Sequence, residues 1–300
     1  MTDRFTALNL SAGIASVTVA VLLVALKLWA LVATGALSIA ASMTDNALDL
    51  MVSIGALAAI AYAARPADDD HTFGHTSAED LATLLQAALV LTSAGMIGVL
   101  AGKRLLSGQP SEIAAQSEGV AVMLVSVLLT GGLIVWQRYV ARCTGNRVVA
   151  ADSLHYLSDL LPTLGVLLAL TTSSVWGFDQ IDSVVALAAA LWMAFSGLRI
   201  GRGAWDALMD HAAAPEVIAR IDGIAGNWPG VLAFHDLKTR TAGSRTFVSL
   251  HLELDGAMTL NAAHAIADGL EHRLEDEIPD AEVIIHLDPV GPGSGREPRG

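Results

Sequence analysis

Six stretches of this chain, at 10–31, 37–64, 81–100, 120–140, 148–171 and 175–198, are each about as long as a membrane span and almost wholly apolar. A helix needs about 20 such residues to cross the hydrocarbon of a bilayer. The composition agrees: 53% of the residues are hydrophobic and only 16% are charged, too apolar for an ordinary soluble domain. The pattern predicts a mainly α membrane protein with six transmembrane helices over residues 1–210, embedded in a lipid bilayer. Lys27 lies near the end of the first span, where its long stem can snorkel to the interface, with Trp29 beside it as an anchor.

Charge sets the orientation and excludes some functions. With the N-terminus inside, Arg4, Arg65, Arg138, Arg142, Arg147, Arg199 and Arg202 fall on the inner side, and only Lys103 and Arg104 fall outside. Positively charged loops stay in the cytoplasm, so both termini are expected there. A bacterial inner (plasma) membrane is the expected location, with residues 1–9 and the span behind them read as a signal anchor. A net charge of −13 argues against nucleic acid as a partner. The single Cys143 excludes an intramolecular disulfide and a cysteine-based metal cage.

Past Asp210 the periodicity changes. Residues 214–226 and 260–275 read as amphipathic helices, and 231–239, 246–254 and 282–288 read as strands. The order αββαβ over 211–290 predicts a small cytoplasmic α+β domain. The Gly/Pro-rich 291–300 reads as a disordered tail.

Three constellations carry candidate chemistry. The second span holds Asp45 and Asp49, and the fifth holds His155 and Asp159. Four-residue spacing puts each pair on one helix face. An ionisable group within a span costs roughly 2.5–3.5 kcal/mol and marks function by default. Three carboxylates and one imidazole can surround a four-coordinate metal such as zinc. The plainer alternative is a polar cluster between helices, with Ser42, Asn46 and Ser158 as hydrogen-bond partners. In the link between the second and third spans, Asp68, His71 and His75, with Glu79 just beyond, have ligand spacing; the alternative is a solvated acidic loop. In the tail, His235, His251, His264, His286 and Asp288 gather in a short segment. Strand alternation places His251 on the face opposite Val248, Leu250, Leu252 and Leu254, and places His286 and Asp288 opposite Val283, Ile285 and Leu287. Lone strand histidines are usually surface residues, and that reading stays open too.

Taken in order, five motifs resemble the cation diffusion facilitator family, closest to its bacterial ferrous-iron/zinc efflux type. They are Ser-Met-Thr-Asp-Asn-Ala-Leu-Asp, His-Thr-Phe-Gly-His, Asp-Ser-Leu-His-Tyr-Leu-Ser-Asp, His-Asp-Leu-Lys-Thr-Arg and Ile-Ile-His-Leu-Asp-Pro. The resemblance implies a homodimer of six-helix protomers with a cytoplasmic metallochaperone-like domain. It implies a transport site at Asp45, Asp49, His155 and Asp159, and a loop site at Asp68, His71 and His75. It also implies a binuclear regulatory site of His235, His251, His264, His286 and Asp288 at the tail dimer interface. In one respect the chain departs from the pattern: relatives often carry a Lys near Ser77 that pairs with an Asp near Asp210, and Ser77 cannot make that pair.

The expected function is therefore secondary transport, not enzymatic: efflux of divalent cations, zinc first and also iron or cadmium, by proton antiport. Zn2+ would be both substrate and structural or regulatory ion. A metal-gated channel or membrane metal sensor is the alternative, and it predicts flux without proton counter-movement. A membrane hydrolase would need an open coordination position and a general base, which the quartet does not offer.

Overall fold

The computed structural model describes residues 2–34, 37–107, 117–176 and 181–291; not every side chain within these is described, and that of Asp45 is not. The expected tail lies, from 292 onward, outside them. The chain falls into two compact units, 1–205 and 206–300.

The first unit is built on six long helices: α1 (Thr2–Thr34), α2 (Leu37–Ala63), α3 (Ser77–Ser107), α4 (Ser117–Thr144), α5 (Arg147–Trp176) and α6 (Ile181–Leu208). Several outrun their apolar cores, because polar end residues such as Ser77–Asp80 continue the helix past the hydrocarbon length. Among the described residues, three helices are long and apolar enough to cross a membrane, at Arg4–Trp29, Ser77–Ser107 and Leu124–Thr144. The unit buries polar side chains among apolar ones and is strongly apolar on the outside. Ser16, Ser53, Thr83, Gln137 and Asp152 are buried, whereas Leu128 is 74% exposed and Phe195 69%. Water would not tolerate so much apolar surface; lipid does. Small residues set the closest approaches. A Cβ on Gly13 of α1 would lie 2.9 Å from Leu57 of α2. On α6, Gly197 and Gly201 admit Leu91 and Ala87 of α3 in the same way. The α4–α5 link is short because Gly145 takes a positive φ of 70° and the Asn146 side chain caps α5 by accepting from the Val149 amide at 3.0 Å.

The second unit runs α7 (Pro215–Ala225), β1 (Ala233–Ala242), β2 (Arg245–Asp255), α8 (Leu260–Glu277), β3 (Ala281–Val290), realising the αββαβ order. The sheet order is β1-β2-β3, with β1 antiparallel and β3 parallel to β2. The β2–α8–β3 passage is the crossover that a parallel pair requires. One sheet face, with Val248, Leu250, Leu252 and Val283, packs on Ile221 of α7 and Leu270 and Leu274 of α8. Thr259 caps α8 by accepting from the Ala262 amide. The opposite face carries the histidines.

Candidate metal centres

The helical spacing of the fifth span brings His155 and Asp159 to one face of α5, and α2 meets that face with Asp49. His155 Nε2 lies 3.3 Å from Asp49 Oδ1 and 4.0 Å from Asp159 Oδ2. One donor atom from each of the three residues falls within 4.8 Å of the others, a spacing that a metal ion can bridge. His155 is buried, and among the described residues neither ring nitrogen has a partner in hydrogen-bond geometry. Buried nitrogens left without a hydrogen bond need some other partner, and a metal ion bound beside Asp49 and Asp159 would be one. Asp49 and Asp159 border a cavity of about 250 Å3, together with Lys27, Asn46, Ser126, Thr130 and Tyr156. Asp45 sits one turn before Asp49 on α2, but its side chain is outside the described set.

Beside this cavity a polar knot ties four helices. Asp152 Oδ2 of α5 accepts from Ser16 Oγ of α1 at 2.7 Å and from Gln137 Nε2 of α4 at 2.6 Å. Ser16 is 2.9 Å from Ser53 of α2, and Ser53 is 2.7 Å from the Tyr156 hydroxyl. Sequence reasoning assigned none of these residues. The available signal was a row of polar residues in apolar spans, with Asp152 three positions before His155. Lys27 also departs from expectation. Its ammonium does not run out to the interface: it donates to Asn46 Oδ1 at 2.6 Å and borders the cavity.

The loop residues converge as well. Asp68 Oδ1 is 3.3 Å from His71 Nδ1, and Oδ2 is 3.3 Å from His75 Nε2. Asp68 folds the loop by accepting from the His71 amide at 2.7 Å and the Asp70 amide at 3.1 Å. The bond from the His71 amide holds its carboxyl below the usual range. His75 is buried against the Tyr62 ring, and its Nδ1 has no hydrogen-bond partner among the described residues. Glu79 does not join them. It turns to α5 and accepts from Asn146 Nδ2 at 2.7 Å, and its neighbour Asp80 receives Arg147 at 2.9 Å. Helix α3 starts at Ser77, so Glu79 points with its helix and not with the loop.

In the second unit the strand register does the assembling. His235, His251 and His286 are paired across β1, β2 and β3, which makes a row of imidazoles. Asp288 serves all three: Oδ2 is 2.9 Å from His251 Nδ1 and 3.2 Å from His235 Nε2, and Oδ1 is 3.5 Å from His286 Nε2. Two overlapping triads result, His235/Asp236/His251 and His251/His286/Asp288. A bulge between His235 and Lys238 brings in Asp236, and Glu253, on the same face as His251, comes within 3.6 Å of His235. Neither acid was singled out from the sequence. His264 is not in the row: it is exposed on α8, which covers the other sheet face. Asp210, the expected partner of the missing lysine, is engaged by Arg240 at 3.2 Å.

Residues 13–209 match the cation efflux transmembrane domain, and residues 213–290 match the cytoplasmic domain of cation efflux proteins. A cation-efflux pump FieF of Shewanella oneidensis is 42% identical over 276 residues, 92% of each chain. A pump of the same name from Serratia proteamaculans is 36% identical over 289 residues, 96% of this chain and 95% of that one. A metal-bound C-terminal domain of the CzcD transporter from Thermotoga maritima is 25% identical over 26% of this chain and 92% of its own, with a TM-score of 0.25. With both domain matches in order along one polypeptide, and a charged cavity between apolar helices, the chain belongs to the cation efflux family and is a membrane transporter, not an enzyme.

Proposed function

We propose that the chain exports a divalent metal ion from the cytoplasm in exchange for protons, with zinc as first substrate and iron(II) and cadmium as further ones. The observation that carries this reading is the meeting of Asp49, His155 and Asp159, of which Asp49 and Asp159 border one cavity between helices. Asp45, one turn along α2, is proposed as the fourth ligand. An imidazole beside carboxylates suits zinc, cadmium or iron(II) better than magnesium or calcium, which take all-oxygen shells. Only neutral imidazole and ionised carboxylates bind metal, so loading displaces protons, and a proton returning from the far side expels the ion. His155 is the proposed proton carrier, because imidazole is the side chain that changes charge near neutral pH. Rocking of one helix group against another would open the site to alternate sides.

The protein would act as a homodimer in a bacterial inner membrane with both termini in the cytoplasm, residues 1–210 forming the membrane domain and 211–290 the regulatory one. Asp68, His71 and His75 would hold a second ion. The bridging posture of Asp288 suits a binuclear site with His235, His251 and His286. His264 could join only from beyond this sheet face, as from a second copy. Zinc there would neutralise the acidic face and draw two tail domains together. The test is reconstitution in vesicles with an internal pH dye. A zinc gradient should drive proton flux, and Asp49→Ala should abolish it. Zinc flux without proton movement would favour a channel and end the antiport reading.

A further inference from the structure

Lys27 places an ammonium at a cavity whose proposed cargo is also positive. A lysine this close to a helix end would ordinarily reach the interface, since an ammonium within a span is costly. Here the side chain turns inward: Nζ donates to Asn46 Oδ1 at 2.6 Å and lines the same cavity of about 250 Å3 as Asp49 and Asp159. Asn46 is buried and precedes Asp49 by three residues on α2, so the anchor holds the ammonium about one helical turn from that carboxylate. We infer that Lys27 is a tethered counter-cation of the transport site, which neutralises the carboxylates when the site is vacant and repels the ion when it is filled. This rests on the assignment of Asp49, His155 and Asp159 as transport ligands.

Charges in a cavity walled by apolar helices interact several-fold more strongly than in water. A vacant site with two or three carboxylates and no counter-charge would be costly in lipid, and it would bind a divalent ion too tightly to release it. Lys27 relieves both problems with one group. In the proposed orientation Asn46 is nearer the outer end of α2 than Asp49, so the ammonium stands on the exit side and is placed to take over the carboxylates as the ion leaves. A hydrogen-bonded neutral side chain at position 27 could hold Asn46 equally well, but it could do neither of these things.

The test is zinc titration of the purified full-length chain by calorimetry, with zinc-driven flux in vesicles alongside. The component of binding lost in Asp49→Ala identifies the cavity. Lys27→Met should tighten that component by about tenfold or more and lower both KM and maximal flux, whereas Lys27→Arg should stay within about threefold of the parent. A single symmetric size-exclusion peak and an unchanged melting midpoint in detergent report that the membrane unit of each variant is folded, and Lys27→Gln replaces Lys27→Met if it is not. Unchanged or weaker cavity binding in the neutral variant overturns the inference and leaves the ligand assignment standing. If Asp49→Ala removes no component, the ligand assignment fails, and the inference fails with it.

Discussion

Asp152 should hold the membrane unit together through two hydrogen bonds, and two substitutions separate that role from its charge. Asp152→Ala removes the acceptor for Ser16 at 2.7 Å and Gln137 at 2.6 Å; Ser16 can turn to Ser53 at 2.9 Å, but the Gln137 amide, 1% exposed, loses the acceptor that holds it in the interior. Interhelical hydrogen bonds in membrane proteins are worth about 0.6–1.7 kcal/mol each, so losing two costs roughly 1–3 kcal/mol. For a unit of this size each kcal/mol moves a melting midpoint by roughly 2–4 °C, which puts the expected drop near 5 °C. Asp152→Asn keeps an oxygen in the same place, accepts the same two donors and should lose less than half as much. The assay is the temperature of half-aggregation of detergent-solubilised protein, read by size-exclusion fluorescence. Equal losses in the two variants would refute the hydrogen-bond account, because they would show that the negative charge matters and not the acceptor. No loss in Asp152→Ala would show that the knot is ornamental.

Two more predictions rest on ion pairs. Asp80 is fully buried and receives Arg147, which is itself about a third exposed, so Arg147→Gln removes a positive partner from a buried carboxylate. The expected cost is about 3 kcal/mol, largely restored by adding Asp80→Asn, and the same thermal assay reads both. In the second unit Asp288→Asn removes the one charge facing all three imidazoles. Zinc bound per chain at equilibrium dialysis should fall, while proton-coupled flux at saturating zinc should survive; unchanged zinc content would remove Asp288 from the regulatory site.

Local periodicity made much of the architecture legible. Four-residue spacing put His155 and Asp159 on one face of α5, and alternation put His251 opposite Leu250 and Leu252 before any pairing was known. The register His235–His251–His286 was not legible, because it depends on a bulge in β1 and on the crossover through α8. Position along the chain also misled. Lys27 looked free to snorkel because its distance from a helix end is visible in sequence, whereas the pull of Asn46 and the acidic cavity is a property of two helices together. Glu79 looked like a loop ligand because it follows His75 by four residues, yet the first turn of α3 had already begun and aimed it at Asn146. Ser16, Ser53 and Gln137 each look innocuous within their own spans. Only assembly shows that they share Asp152 and Tyr156.

The membrane cluster and the tail cluster use the same side-chain types on supports of different stiffness, and that difference fits different tasks. The tail imidazoles sit in register on three hydrogen-bonded strands above a packed apolar core, and one carboxylate already spans them at 2.9–3.5 Å. Ligands fixed this way pay little to organise around an ion and should hold it long enough to act as structure. The proposed membrane ligands come from two helices, Asp49 from α2 and His155 and Asp159 from α5, stand 3.3–4.0 Å apart, and through Asp49 and Asp159 border a cavity that also admits an ammonium. A carrier that must release its cargo needs such looseness, because helices that slide past one another can pull Asp49 from His155 and Asp159 without breaking a ladder. Stiffening that contact should therefore trap the ion. A cysteine cross-link between α2 and α5 near the cavity should raise zinc retention and stop flux, whereas one between β2 and β3 should leave flux intact. If both cross-links spared transport, relative motion of α2 and α5 would not be the step that frees the metal.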